Sequence, residues 1–381
     1  MGFRDRVSTV LPTLIASGMG GAVRRLVPLK RRPRVTVVIP CYNYGRYLGP
    51  CVASALDGQD GVDVDVIIID DKSTDDSLAT AREIADERNN VRVYAHPYNL
   101  GGIATYNDGL TLADGDYVVL LSADDLLTPG SLSRAAMVME MAPNVGLVYG
   151  TSRVFHDQLP LSRPGHGHWI HWPGRDWLRI RCQSGYNVVA SPEVMMRTKL
   201  LRKIGLYRAD LPHAGDFEMW LRAATVTDVG FLIGADQAFY RQHDTNMHKT
   251  TFQGGTHQGV LVDLKQRWLA FEAALGTGEH ASVLHSQLLT TARATIARHA
   301  IQYSSYAYAR GSLDFPFPAY EELALRARPD IGKTYGGRGL AWRKRLGMAR
   351  GLPLHPLWAP SALALRITEV LRRVRRFGAG V

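Results

Sequence analysis

Cysteine is scarce in this chain. Three residues in 381, Cys41, Cys51 and Cys182, make neither an even disulfide framework nor a metal-binding spacing, which fits a reducing compartment. Long apolar runs are missing too. The nearest to the roughly 18 residues of a membrane-spanning helix, residues 7–23, is broken by Pro12, Gly18, Gly20 and Gly21 and has no clear signal-cleavage site. The chain is therefore expected in the cytoplasm, soluble or peripheral at the membrane's cytoplasmic face. No Gly-x-Gly-x-x-Gly follows the first expected strand and no Gly-Lys-Ser/Thr loop occurs, so the two commonest glycine-rich phosphate cradles are excluded. What remains is a globular composition, 46% hydrophobic and 21% charged.

Charge is unevenly placed. Residues 1–34 carry +7, residues 331–381 carry +10, and the stretch between carries −7. Basic, partly apolar ends suit an anionic membrane surface. Nucleic acid is the competing polyanion, but the acidic core offers no recognition motif for it, and no nucleic-acid partner is expected. Residues 1–33 read as a basic lead-in, 34–250 as the main domain and 251–381 as a helical, basic C-terminal region. Leu261–Leu275 and Ser282–Tyr308 have helical periodicity, and Leu340–Phe377 suits helices lying on a membrane surface.

The main domain alternates short apolar runs with helical periods. Val35–Ile39, Val64–Ile69, Val91–Ala95, Tyr117–Leu121 and Val145–Tyr149 read as strands, separated by helices of 10–12 residues. Continuous β-branched runs such as Val66–Ile69 belong in a sheet covered on both faces, and βαβ alternation implies a mainly parallel α/β sheet. Ligands in such sheets bind beyond the carboxyl ends of the strands. Those ends carry Pro40, Tyr42 and Asn43, then Asp70 and Asp71, then Asp124 and Asp125. Taken alone, Asp70–Asp71 reads equally well as a ligand site or as a loop entering a helix. Three such ends on one sheet edge favour a site. Because it is acidic, a phosphate would be held through a divalent metal such as Mg²⁺ or Mn²⁺, and Tyr42 is available to stack on a base.

Pro40-Cys41-Tyr42-Asn43, the run Asp70–Ser77, Asn99-Leu100-Gly101-Gly102, Asn107 and Asp124-Asp125 resemble family 2 glycosyltransferases of the GT-A fold over about residues 34–250. The resemblance implies a Rossmann-like, mainly parallel sheet flanked by helices, and an inverting transfer from a nucleotide-diphosphate sugar, UDP-linked, to an acceptor hydroxyl. It implies a glycan or lipid-linked acceptor, in cell-envelope polysaccharide synthesis. Pro40, Tyr42, Asn43, Asp70, Asp71, Asn99, Gly101 and Asn107 would line the nucleotide, with Asp71 at the base. Asp124 would serve both diphosphate and metal, and Asp125 and His243 would complete the metal end. Ser122 stands where the family often has a first acid. Asp216, in the run Gly215–Arg222, would be the catalytic base, although by pattern alone it reads as a helix N-cap. Glu218 points to another face and reads as structural. His243, after Tyr240-Arg241-Gln242, is alternatively a satisfied loop histidine.

Residues 155–186 hold His156, His166, His168, His171, Trp169, Trp172 and Trp177. They are expected to form a mobile acceptor-side loop with aromatic faces for sugar rings, or else a packed surface excursion. Two other functions stay open: a sugar-phosphate nucleotidyltransferase, and a non-catalytic nucleotide-sugar-binding protein at the membrane.

Overall fold

The structure, a computed structural model, describes residues 12–165, 167–244, 246, 256–276, 283–347, 363, 367, 370–371, 374–376 and 378–381. His166, residues 1–11 of the lead-in and most of the expected helices after residue 347 lie outside the described residues. Two compact units divide the chain. One comprises Met1–Trp177, Val188–His243 and Arg375–Gly380, and the other Leu178–Asn187, Asp244–Val374 and Val381.

The first unit is built on a single ten-stranded sheet. Its strands are β1 (Ala22–Arg25), β2 (Arg34–Cys41), β3 (Asp63–Asp70), β4 (Val91–Ala95) and β5 (Tyr117–Leu120). They continue as β6 (Leu126–Leu127), β7 (Val145–Phe155), β8 (His168–Trp172), β9 (Met195–Arg197) and β10 (Asp228–Arg241). The order is β1-β8-β10-β7-β9-β5-β2-β3-β4, with β6 paired to β10. Between them run α1 (Gly45–Leu56), α2 (Ser77–Glu87), α3 (Gly102–Leu112), α4 (Ser131–Met141), α5 (Gly174–Ser184), α6 (Thr198–Ile204) and α7 (Gly215–Ala224).

β4, β3, β2 and β5 are parallel neighbours, with Val37 opposite both Val66 and Val119. Val35, Val37, Val38, Ile39 and Val66–Ile69 are all buried, as their unbroken β-branched runs require. Cys41, Asp70 and Ala95 lie in register, so the chain leaves three neighbouring strands at one level. Pro40 sits inside β2 where β5 has already ended, so its missing N–H breaks no ladder bond. β10 runs parallel to β7, shifts register between Phe231 and Ala238, and returns to pair with β6. That shift delivers Arg241 and His243 to the turn holding Asp124 and Asp125.

Two expectations are corrected here. Residues 155–186 are no open loop: they contribute β8 and α5, and Trp169, Trp172 and Trp177 are fully buried. Their rings pack the core and are not available to sugars. Trp177 Nε1 donates to the Tyr149 hydroxyl at 3.1 Å, and Trp172 Nε1 to the Ala379 carbonyl at 3.1 Å. Ser191–Arg197, whose sequence also reads as a strand, is extended only at its end. Pro192 opens a single 3₁₀ turn, Ser191–Glu193, and Glu193 Oε1 accepts the Ala190 N–H at 3.0 Å, so only Met195–Arg197 extends.

The second unit is helical: α8 (His257–Gly276), α9 (Val283–Arg310), α10 (Phe317–Ala327) and α11 (Tyr335–Leu346). Leu288, Ala292, Ile296 and Ala300 of α9, spaced four apart, are buried.

Candidate active site

The loop after β2 is clasped to the loop after β3. Asn43 and Lys72 both adopt left-handed backbone, φ 59° each, a conformation that asparagine tolerates well. The Asn43 side-chain oxygen accepts the Thr74 N–H at 2.7 Å, while the Ser73 hydroxyl accepts the Asn43 N–H at 3.0 Å. Asp75 accepts the Gly45 and Ser77 N–H groups. The Asn43 side-chain oxygen is thus engaged in a loop-to-loop clasp. Tyr42, the residue before, stays 47% exposed at the rim, whereas Pro40 is buried in β2.

Asp70 and Asp71 differ sharply. The buried Asp71 carboxylate accepts the Leu100 N–H at 2.7 Å, the Gly101 N–H at 2.9 Å and a bond from His96 Nδ1 at 2.8 Å. It therefore pins the entry to α3, and the Asn99 amide donates to its carbonyl at 3.1 Å. Gly101 has φ +85° with open space where a Cβ would stand, so the backbone here can approach a ligand closely. Asp70 accepts the Ser73 N–H at 3.2 Å through Oδ2, but its buried Oδ1 has no hydrogen-bond partner. A buried acceptor left without a donor costs about 1–3 kcal/mol. The Asn107 amide donates to the Tyr207 carbonyl and its oxygen accepts the Tyr207 N–H, both at 2.9 Å, tying α3 to the segment before α7.

The acidic end is organised from β10. The Arg241 N–H donates to Asp125 Oδ1 and its Nε to the Asp124 carbonyl, both at 2.9 Å. Its guanidinium lies over Tyr47 and Phe155. His243 Nε2 is 3.0 Å from Asp124 Oδ2, and the imidazole is flanked by Tyr44 and Tyr47, ring centres 5.6 Å away. Burial, and then the neighbouring Asp124 charge, raise the Asp125 carboxyl well above the usual carboxylate range. Among the described residues, no group of three His, Cys, Asp or Glu side chains forms a ready-made metal shell. The donor chemistry still fits a divalent ion. Two carboxylates and an imidazole, with His243 Nε2 hydrogen-bonded to Asp124 Oδ2 at 3.0 Å, are donors that such an ion accepts.

Asp216 lies in the first turn of α7, whose N-cap is Ala214, so the capping role read from pattern is not the one it plays. Its Oδ1 accepts the Phe217 N–H at 2.6 Å and Oδ2 the Ser191 hydroxyl at 3.3 Å. Burial raises its carboxyl, and these two bonds hold the rise back. Glu218, two residues on, pairs with Arg222 at 2.9 Å, and Arg222 in turn caps the Gly205 and Leu206 carbonyls at the end of α6. The three acids converge. Burial, followed by the charges of Asp124, Asp216 and Asp125, pushes Tyr106 up to about 12, and Tyr240 rises to about 12 for the same reasons. Sequence reasoning missed Ser191, Tyr44, Tyr47, Tyr106 and Tyr240. Only Tyr44 and Tyr47, directly after the first strand's loop, stood where a signal could have been sought.

Glu193 gives a stability prediction beside this site. Burial raises its carboxyl from 4.5 to about 7. A native-state rise means the fold binds a proton that the unfolded chain releases, so stability falls as pH climbs from about 4.5 through 7. That shift corresponds to roughly 3 kcal/mol. Glu193→Gln can keep both bonds, to the Ser152 hydroxyl and the Ala190 N–H. Its stability relative to wild type should therefore improve by about that amount between pH 5 and pH 8, read from urea midpoints.

Residues 36–205 match the family described as Glycosyl transferase family 2. A chondroitin synthase of Pasteurella multocida is 28% identical over 209 residues, 53% of this chain; the chain spans only 20% of that relative's length. Among solved structures, a Staphylococcus aureus TarS fragment in complex with UDP-GlcNAc superposes with a TM-score of 0.57 at 15% identity. That alignment covers 88% of this chain and 92% of the other. A Pyrobaculum calidifontis mannosyltransferase, PcManGT, in complex with GDP-Man and Mn²⁺ gives 0.52 at 18% identity, covering 98% and 95%. Over residues 36–205 the chain is similar to glycosyl transferase family 2, and its architecture is the GT-A fold of these solved transferases.

Proposed function

We propose that the protein is an inverting glycosyltransferase that moves a sugar from a UDP-linked donor to an acceptor hydroxyl. The observation that carries this is the convergence of Asp124, Asp125 and Asp216 around Tyr106 and Tyr240 at one sheet edge. Tyr42, the Asp70–Asp71 turn, Asn99 and the open backbone at Gly101 receive the nucleoside. The unpartnered Asp70 Oδ1 is the acceptor atom a donor group of the ligand would satisfy. Asp216 takes the proton of the acceptor hydroxyl as that oxygen attacks the anomeric carbon, and the bond from that carbon to the diphosphate breaks, releasing the nucleoside diphosphate.

A divalent ion, when bound by Asp124, Asp125 and His243, would offset charge on the departing diphosphate. The buried carboxylates Asp124 and Asp125 beside His243 and the Mn²⁺ in the mannosyltransferase complex support that assignment. The synthase relative's name supports a glycan or lipid-linked acceptor in polysaccharide synthesis.

A thermal-shift screen across nucleotide sugars tests the donor. A true donor at a hundred times its Kd adds about 2.7 kcal/mol, a shift of several degrees, and EDTA should reduce it. No response to any nucleotide sugar, with or without Mn²⁺, would overturn the proposal.

A further inference from the structure

His96 directly follows β4, and its backbone N–H donates to the Asp70 carbonyl at 2.9 Å, just beyond the Asp70–Ala95 pair that ends the β3–β4 ladder. Its ring is 10% exposed and meets a carboxylate at each nitrogen. Nδ1 is 2.8 Å from Asp71 Oδ1, and Nε2 is 3.1 Å from Asp108 Oδ2. The Asp71 side chain is almost closed to solvent, whereas that of Asp108, in the body of α3, is half exposed. The end of β3, the end of β4 and α3 therefore meet at one imidazole.

From these contacts we infer that His96 is a positioning residue of the nucleoside subsite, holding the Asp71 carboxylate and α3 in one arrangement. The inference rests on the proposal that Asp71, Asn99 and Gly101 receive the nucleoside. An ionised carboxylate only accepts hydrogen bonds, so Nδ1 is the donor at the Asp71 contact. The two Asp71 oxygens also hold the Leu100 and Gly101 N–H groups at the entry to α3. Gly101 is where the backbone leaves open space for a ligand. A carboxylate free to turn would carry that backbone with it, and the His96 ring stops the turn. Across the ring, Asp108 ties the helix body to the same post. With so little of its ring exposed, His96 acts through Asp71 and not on the ligand.

Titration calorimetry of the whole chain with UDP and Mn²⁺ tests it. His96→Ala is expected to weaken UDP binding by about ten- to a hundred-fold, the range for a hydrogen bond to a charged group, with the number of sites per chain unchanged. His96→Asn should recover most of that loss. The asparagine amide nitrogen stands at the same place along the side chain as Nδ1 and can donate to Asp71. Asp108→Ala, at a half-exposed position, should melt like wild type and weaken binding by about two- to five-fold. A role in folding alone would lower the melting temperature and the number of competent sites while leaving their Kd unchanged, and that result would overturn the inference. So would wild-type affinity in His96→Ala or Asp108→Ala, or equal losses in His96→Ala and His96→Asn. Wild type that binds no UDP would instead overturn the UDP-donor proposal on which the inference rests, so the two failures are distinct.

Discussion

Asp216→Asn is expected to lower turnover by about 10²–10⁴-fold, the range for losing a general base, while donor affinity stays within a few-fold. Asparagine keeps the size of the side chain and can still accept the Phe217 N–H that Asp216 accepts at 2.6 Å. What it cannot do is take a proton. The pH profile carries a second signature. Burial raises the Asp216 carboxyl above the ordinary range, so kcat/KM should fall on the acid side at a pH above that of a free aspartate. Below that limb the base is already protonated. Ser191→Ala removes a hydroxyl that holds the Asp216 carboxyl down, so the limb should move further up. In Asp216→Asn the residual rate should show no such limb.

Asp236→Ala is expected to destabilise the fold by about 3 kcal/mol, the lower part of the range for removing one partner of a buried ion pair. Asp236 is fully buried beneath the segment before β8. Its carboxylate accepts the Arg163 N–H at 2.8 Å, the guanidinium at 2.6 Å and the Thr151 hydroxyl at 3.2 Å. Arg163 is half exposed and can turn to water once its partner is gone, which is why the lower figure applies. The Arg163 N–H and Thr151 hydroxyl lose their acceptor. Asp236→Asn, which keeps an oxygen but no charge, should fall between. Urea midpoints measure the loss, and limited proteolysis within residues 156–165 should speed up in the alanine variant.

These two aspartates mark what the sequence could and could not tell. The parallel half of the sheet was legible because β2, β3 and β5 are buried on both faces and read as unbroken apolar runs. The acids at their ends were legible because a change from Ile69 to Asp70, or from Leu121 to Asp124, is abrupt. The protein partners of Asn43 and Asn107 were not legible, because a short amide looks the same whether it serves a ligand or a loop. Their partners, Thr74 and Tyr207, lie 31 and 100 residues away. The tryptophans of residues 169–177 looked like a ligand surface because they sit among histidines and arginines. Their burial is decided by β8 pairing with β10, about 60 residues on. Asp236 carried no motif at all. Its only trace was a carboxylate interrupting the apolar run Val229–Phe239, where β10 shifts register.

Product analysis tests the central claim most directly. The chain is incubated with a UDP-sugar selected by thermal shift, Mn²⁺ and a panel of glycan acceptors, and products are followed by phosphorus and proton NMR. Free UDP should appear in step with a glycoside whose anomeric configuration is opposite to that of the donor. Retained configuration, or pyrophosphate formed from a nucleoside triphosphate and a sugar phosphate with no glycoside, would contradict it.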